Sequence, residues 1–188
     1  MSWLIILMGY LLGSVPTAYL AGRMAGKDIR QVGDLNVGAQ NAFRQLGPAI
    51  GIGVGLIDFG KGALAVLIAR AAGMPQMVVF LAGAAAVAGH NWPVFLGFRG
   101  GRGESTTIGI LYVLIPIPSI IVTVPAMITL ALTRNVIWAS VAAFVPLPVV
   151  CWLFKVPGAV ITYALVLLVL VAITHLLRTR RTVVHRQA

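Results

Sequence analysis

Long apolar runs recur along the whole of this chain, separated by short polar breaks. They extend from Trp3 to Gly22, Pro48 to Ala69, Gln76 to Phe95, Ser105 to Ile115, Ile117 to Leu132, Val136 to Phe154 and Gly158 to Leu177. A helix that crosses the hydrocarbon core of a bilayer needs about 20 residues. The pattern therefore predicts an all-α, polytopic integral membrane protein with about seven transmembrane helices, the fourth and fifth of them short. Pro116 and Pro118 interrupt what would otherwise be one long helix, and either kink it or turn the chain back.

The positions of Lys and Arg decide between these two paths, because cytoplasmic loops collect basic residues. If the chain reverses at the prolines, one face receives Arg23, Lys27, Arg30, Arg44, Arg99, Arg102 and Arg134, with Arg178, Arg180, Arg181 and Arg186 of the tail. Only Arg70 and Lys155 then face the other way. A simple kink would move Arg134 and the tail across and erase the asymmetry. The expected topology has seven crossings, with the N-terminus outside and the C-terminus cytoplasmic.

Composition agrees. The 188 residues are 60% hydrophobic and 10% charged, with a mean hydropathy of +0.99, more apolar surface than one small soluble core can hide. The recurring runs leave no room for a separate soluble domain, so residues 1–188 are expected to form a single domain. The net charge of +10 is explained by topology, and no basic patch interleaved with exposed aromatics suggests nucleic acid as a partner. Cys151 stands alone inside an apolar run, which excludes a disulfide framework. No basic side chain lies in Met1 to Trp3, so a cleaved leader is not expected. Small residues crowd the second and third segments, including Gly51, Gly53 and Gly55 and then Ala82 to Gly89, and let helix backbones approach closely in lipid.

Two loops assigned to the same face carry the candidate chemistry. The second reads from Gly89-His90-Asn91 through Phe98-Arg99-Gly100-Gly101-Arg102-Gly103-Glu104-Ser105-Thr106 directly into a helix. Gly100, Gly101 and Gly103 can turn backbone N–H groups into a common concavity, to which the next helix adds its positive N-terminal end. Arg99 and Arg102 supply charge-assisted donors, and Ser105 and Thr106 supply hydroxyls. A phosphate fits this description; an ordinary glycine turn capped by Ser105 fits it as well. The first loop holds Asn36, Gly38, Asn41 and Arg44, able to bind an anionic or polyol ligand or to cap turns. Within an apolar helix, Asp58 and Lys61 are spaced i, i+3 and are expected to pair. The surrounding glycines nearly spell a nucleotide-binding loop, but Gly62 stands where Ser or Thr is required. His90, His175 and His185 lack metal-ligand spacing, so no metal is expected.

Taken together, these segments resemble the PlsY-type glycerol-3-phosphate acyltransferases. The resemblance rests on Gly13-Ser14-Val15-Pro16, Asp28-Ile29-Arg30, Asn36-Val37-Gly38-Ala39 with Asn41 and Arg44, and Asp58 with Lys61-Gly62. Its longest stretch is Gly89-His90 with Pro93 to Gly101, continued by Gly103, Thr106 and Gly109, and Thr133-Arg134 with Ser140 adds to it. The resemblance implies transfer of an acyl group from acyl phosphate to glycerol 3-phosphate, giving 1-acylglycerol 3-phosphate and phosphate for phospholipid synthesis. It implies no cofactor, and a multi-pass location in the bacterial cell (inner) membrane with the active site facing the cytoplasm. Carried onto this chain, the roles fall to Arg102, His90, Thr106 and Ser140 in catalysis, and to Asn36, Gly38, Asn41, Arg44, Gly100, Gly101, Gly103, His175 and Arg181 in substrate and phosphate binding. The chain departs from the family pattern at Asp34-Leu35, Gln40, Arg102, Glu104-Ser105, Ile137 and Arg178. Asp34 is expected to repel a phosphate beside it. A family member that binds, senses or transports a phosphorylated lipid precursor is the alternative these departures leave open.

Overall fold

A computed structural model describes the backbone of residues 1–187 and the side chains of residues 1–178. Every regular element among the described residues is helical: α1 (Ser2–Ser14), α2 (Thr17–Met24), α3 (Ala39–Leu46), α4 (Pro48–Ala71), α5 (Gln76–Asn91), α6 (Glu104–Leu114), α7 (Pro116–Thr133), α8 (Val136–Phe144), α9 (Leu147–Leu153) and α10 (Gly158–Gln187), with a 3-10 turn at Val94–Leu96. Six stretches among the described residues are long and apolar enough to cross a membrane, three of them interrupted: Ser2–Met24 divides into α1 and α2, Gln76–Leu96 into α5 and the 3-10 turn, and Val136–Leu153 into α8 and α9. The chain is thus a multi-pass membrane protein.

The expected shortness of the fourth segment is observed, and that of the fifth is not. With 11 residues, α6 is about 16 Å long, well under the roughly 30 Å of a hydrocarbon core. By contrast, α7 has 18 residues, because Pro116 and Pro118 fall in its first turn, where a missing N–H breaks no helical bond. The chain bends sharply between the two. The Tyr112 hydroxyl lies 2.6 Å from Thr123 Oγ1, whereas a continuous helix would separate these positions by about 16 Å along its axis.

Glycines set how the helices approach. A methyl group on Gly9 would lie 2.5 Å from the Ala82 carbonyl oxygen, and one on Gly13 would lie 2.0 Å from that of Ala86. So α1 and α5 touch backbone to backbone. The α4 and α6 backbones meet likewise, with Gly62 against the Thr106 carbonyl and Gly109 against that of Phe59. Lipid gives helices no hydrophobic reason to associate, so close van der Waals contact carries the packing. Around these seams lies a core of Val66, Val79, Val87, Ile110 and Leu167, which places α10 against α5 and α6.

One buried ionic link crosses this framework. Pro16 has no N–H to offer and the chain turns there, so the carbonyls of Gly13 and Val15 leave the α1 ladder. Lys61 of α4 donates to both, at 3.2 and 2.8 Å. Its charge is balanced by Asp58, 2.7 Å away and one helical turn back, the pair expected from the sequence. Both are buried, and His90 Nδ1 of α5 lies 3.7 Å from the same Asp58 oxygen.

Two outcomes follow for stability in detergent. Gly13→Ala and Gly109→Ala should each lower the thermal midpoint, at an overpacking cost of about 1–3 kcal/mol, while Gly53→Ala, whose new methyl meets nothing within 4 Å, should not. Lys61→Met should cost about 3–5 kcal/mol by stranding the Asp58 charge, and Asp58→Asn combined with Lys61→Met should recover part of that loss. Equal midpoints for the single and double variants would remove the ionic link from the account.

Candidate functional site

The first polar loop is built around Asn41. Its side-chain amide donates to the carbonyls of Ile29, Val32 and Asn36 at 3.0–3.2 Å, and its Oδ1 accepts the Asp34 N–H at 3.3 Å. Buried and fully engaged, Asn41 shapes the loop. Asn36 folds its amide nitrogen over Gly38, where a methyl would lie 2.8 Å away. Its Oδ1 is buried without a partner. At the start of the loop, Arg30 binds Asp28 through three hydrogen bonds and holds that carboxyl at about 2, well below its ordinary value. Arg30 also stacks on the Tyr19 ring at 4.6 Å. Arg44 is exposed on α3, one turn beyond Asn41.

The second loop packs directly on the first. A methyl on Gly101 would stand 2.8 Å from the Val37 carbonyl oxygen and 2.0 Å from His90 Nε2. The glycine turn thus lies between loop one and the His90 ring, whose other nitrogen faces Asp58. Two of the three glycine N–H groups expected to face a ligand are used within the protein. The Gly101 N–H donates to the His90 carbonyl at 2.9 Å and the Gly100 N–H to that of Asn91 at 3.2 Å, so both close the C-terminal end of α5. Glycine is required here because close backbone approach leaves no room for a side chain. Gly103 instead takes a left-handed conformation, φ 81°, and starts α6.

Arg102 projects from this turn onto Asp34, with Nη2 3.3 Å from Oδ2. Two residues that looked like separate departures in the sequence therefore bind one another, and the two loops share a face. α10 secures the arrangement: Thr174 Oγ1 donates to the Arg102 carbonyl at 3.0 Å, and the Arg178 guanidinium donates to the carbonyls of Gly100 and Asn91. His175 lies within electrostatic reach of both Arg102 and Asp34. Below the turn a small cleft runs to the α1–α2 break, lined by Ser14, Thr17, Lys61 and His90.

Other sequence candidates fall elsewhere. Thr106 has no accessible surface, and its hydroxyl is unpartnered within the α4–α6 crossing. The Ser140 hydroxyl of α8 lies within hydrogen-bond reach of Glu104, the first residue of α6, and, at 2.8 Å, of the Val136 carbonyl. The Arg181 side chain lies outside the described residues. Sequence reasoning missed the structural roles of Arg178 and Thr174 and the bonds from Lys61 to the Gly13 and Val15 carbonyls. Pro16 and the glycines, which break the helical ladder, were the available signal for them.

Known proteins share this fold and much of its sequence. Residues 3–185 match the family model for glycerol-3-phosphate acyltransferase. "Glycerol-3-phosphate acyltransferase 4" of Dehalococcoides mccartyi is 46% identical over 96% of this chain and 98% of its own length. The glycerol-3-phosphate acyltransferase of Geotalea daltonii is 37% identical over 94% and 91%. Crystal structures of PlsY, an integral membrane glycerol 3-phosphate acyltransferase, superpose with TM-scores of 0.86 for its glycerol 3-phosphate form and 0.84 for its lysophosphatidic acid form. The first is 31% identical and covers 98% of this chain and 93% of PlsY. With the fold, the paired loops and the relatives in agreement, this chain belongs to the glycerol-3-phosphate acyltransferase family.

Proposed function

We propose that the protein transfers an acyl group from acyl phosphate to the primary hydroxyl of glycerol 3-phosphate, as a single transmembrane unit of seven crossings in the bacterial inner membrane with its site facing the cytoplasm. The hydroxyl oxygen forms a bond to the acyl carbonyl carbon. The bond from that carbon to the phosphate oxygen breaks, releasing inorganic phosphate and 1-acylglycerol 3-phosphate. Acyl phosphate is an activated mixed anhydride, so holding the two substrates together and stabilising charge can carry the reaction.

The observation that carries this reading is the convergence of three distant segments on Arg102: Asp34 from the first loop, Thr174 with His175 from α10, and the glycine turn itself. Family membership supplies the substrates, and the placement of cationic loops beside apolar helices suits a reaction that joins a polar head group to an acyl chain. Arg102 and Arg44, with Arg181 of the tail, are assigned to the phosphate groups. His175 and the N-terminal turn of α6 add hydrogen-bond donors beside Arg102. His90 and Ser140 act through the groups they hold, the glycine turn and Glu104. The carboxylate on Arg102 favours a second reading, a protein that binds a phosphorylated lipid precursor without acyl transfer.

Reconstituted protein given acyl phosphate and labelled glycerol 3-phosphate should form lysophosphatidate and release one phosphate per product. Folded protein that binds glycerol 3-phosphate but forms no product would select the second reading. Arg102→Ala should lower kcat/KM about a hundredfold or more, the scale of removing a group that holds reacting charge.

A further inference from the structure

The chain carries four carboxylates, and three are firmly engaged. Asp28 takes three bonds from Arg30, Asp58 lies buried on Lys61 at 2.7 Å, and Glu104 accepts the Ser140 hydroxyl. Asp34 is held differently. Its N–H donates to Asn41 and its Oδ1 accepts the Asn36 N–H at 3.2 Å, so the loop turn presents Oδ2 to Arg102. There Oδ2 stands 3.3 Å from Arg102 Nη2, with the Asp34 side chain 22% exposed and that of Arg102 11% exposed. A charge-assisted contact of this kind can pass from one anion to another. The Arg102 carbonyl lies 3.0 Å from Thr174 Oγ1 of α10, a contact that does not involve Asp34.

A phosphate approaching Arg102 therefore meets an anion already there. We infer that Asp34 sets substrate affinity: its carboxylate holds the place on Arg102 that a phosphate monoester takes, and binding exchanges one anion for the other. This rests on the reading of Arg102 as a phosphate ligand in the proposed function. It makes Asp34 a specificity-determining residue of this chain. A ligand must bring enough negative charge to displace a carboxylate, so phosphate monoesters bind and their uncharged alcohols do not.

Calorimetric titration of the purified, detergent-solubilised chain tests this without requiring turnover. Asp34→Asn should tighten binding of glycerol 3-phosphate, and of inorganic phosphate in parallel, by about fivefold, the scale of one partly exposed ion pair. Glycerol should bind neither protein measurably. In an Arg102→Gln background the same substitution should change glycerol 3-phosphate affinity by less than about twofold. Unchanged or weaker binding by Asp34→Asn would overturn the inference, and would make the carboxylate a support for Arg102. Equal tightening in the Arg102→Gln background would overturn it too, by showing a general charge effect. Tightening without acyl transfer by the wild-type protein would refute the acyltransferase reading and leave the role of Asp34 standing.

Discussion

Backbone that leaves the helical ladder inside a packed helical bundle must find hydrogen-bond partners within the protein, and this fold is organised around meeting that requirement. The chain breaks twice near its candidate site, at Val15-Pro16 and at the glycine turn after α5. At each break a basic side chain from another helix takes the freed carbonyls: Lys61 those of Gly13 and Val15, and Arg178 those of Asn91 and Gly100. Hydroxyls complete the set, with Tyr10 on the Trp92 carbonyl at 2.8 Å and Thr174 on that of Arg102. These bonds join α1, α4, α5 and α10 at the places where ordinary helix packing would leave gaps.

The same bonds explain how a flexible-looking glycine loop can position charge. Gly100 and Gly101 spend their N–H groups on the end of α5, His90 stands against Gly101, and α10 clamps the loop carbonyls. Arg102 is what remains to face an incoming ligand. The anion site, as proposed, draws on guanidinium groups and the start of α6, while the Gly100 and Gly101 amides are used within the protein. Conformational freedom in the turn is used up in packing, which is why a side chain at either glycine would collide with His90.

Much of the helical architecture was legible in the sequence, because apolar run length is a direct consequence of bilayer thickness. The Asp58 and Lys61 pairing was legible as well, since i, i+3 charges in an apolar helix have few alternatives. The length of α7 was not, because prolines that look like breakers are harmless in a first turn. Side-chain roles in the loops were the least legible. Asn41 could bind a ligand or brace a turn equally well by composition, and its four backbone partners appear only in the folded chain. Asp34 and Arg102 are 68 positions apart, and no local pattern announces that they meet.

The account stands on cations from neighbouring helices fixing the broken backbone, and hydrogen exchange at the glycine turn reads this most directly. In an Arg178→Met variant, the Gly100 and Gly101 amides should exchange at least tenfold faster than in the wild type, while the amides of α4 and α6 keep their protection. Unchanged exchange at both glycines would contradict the account, since the turn would then hold its shape without the arginine.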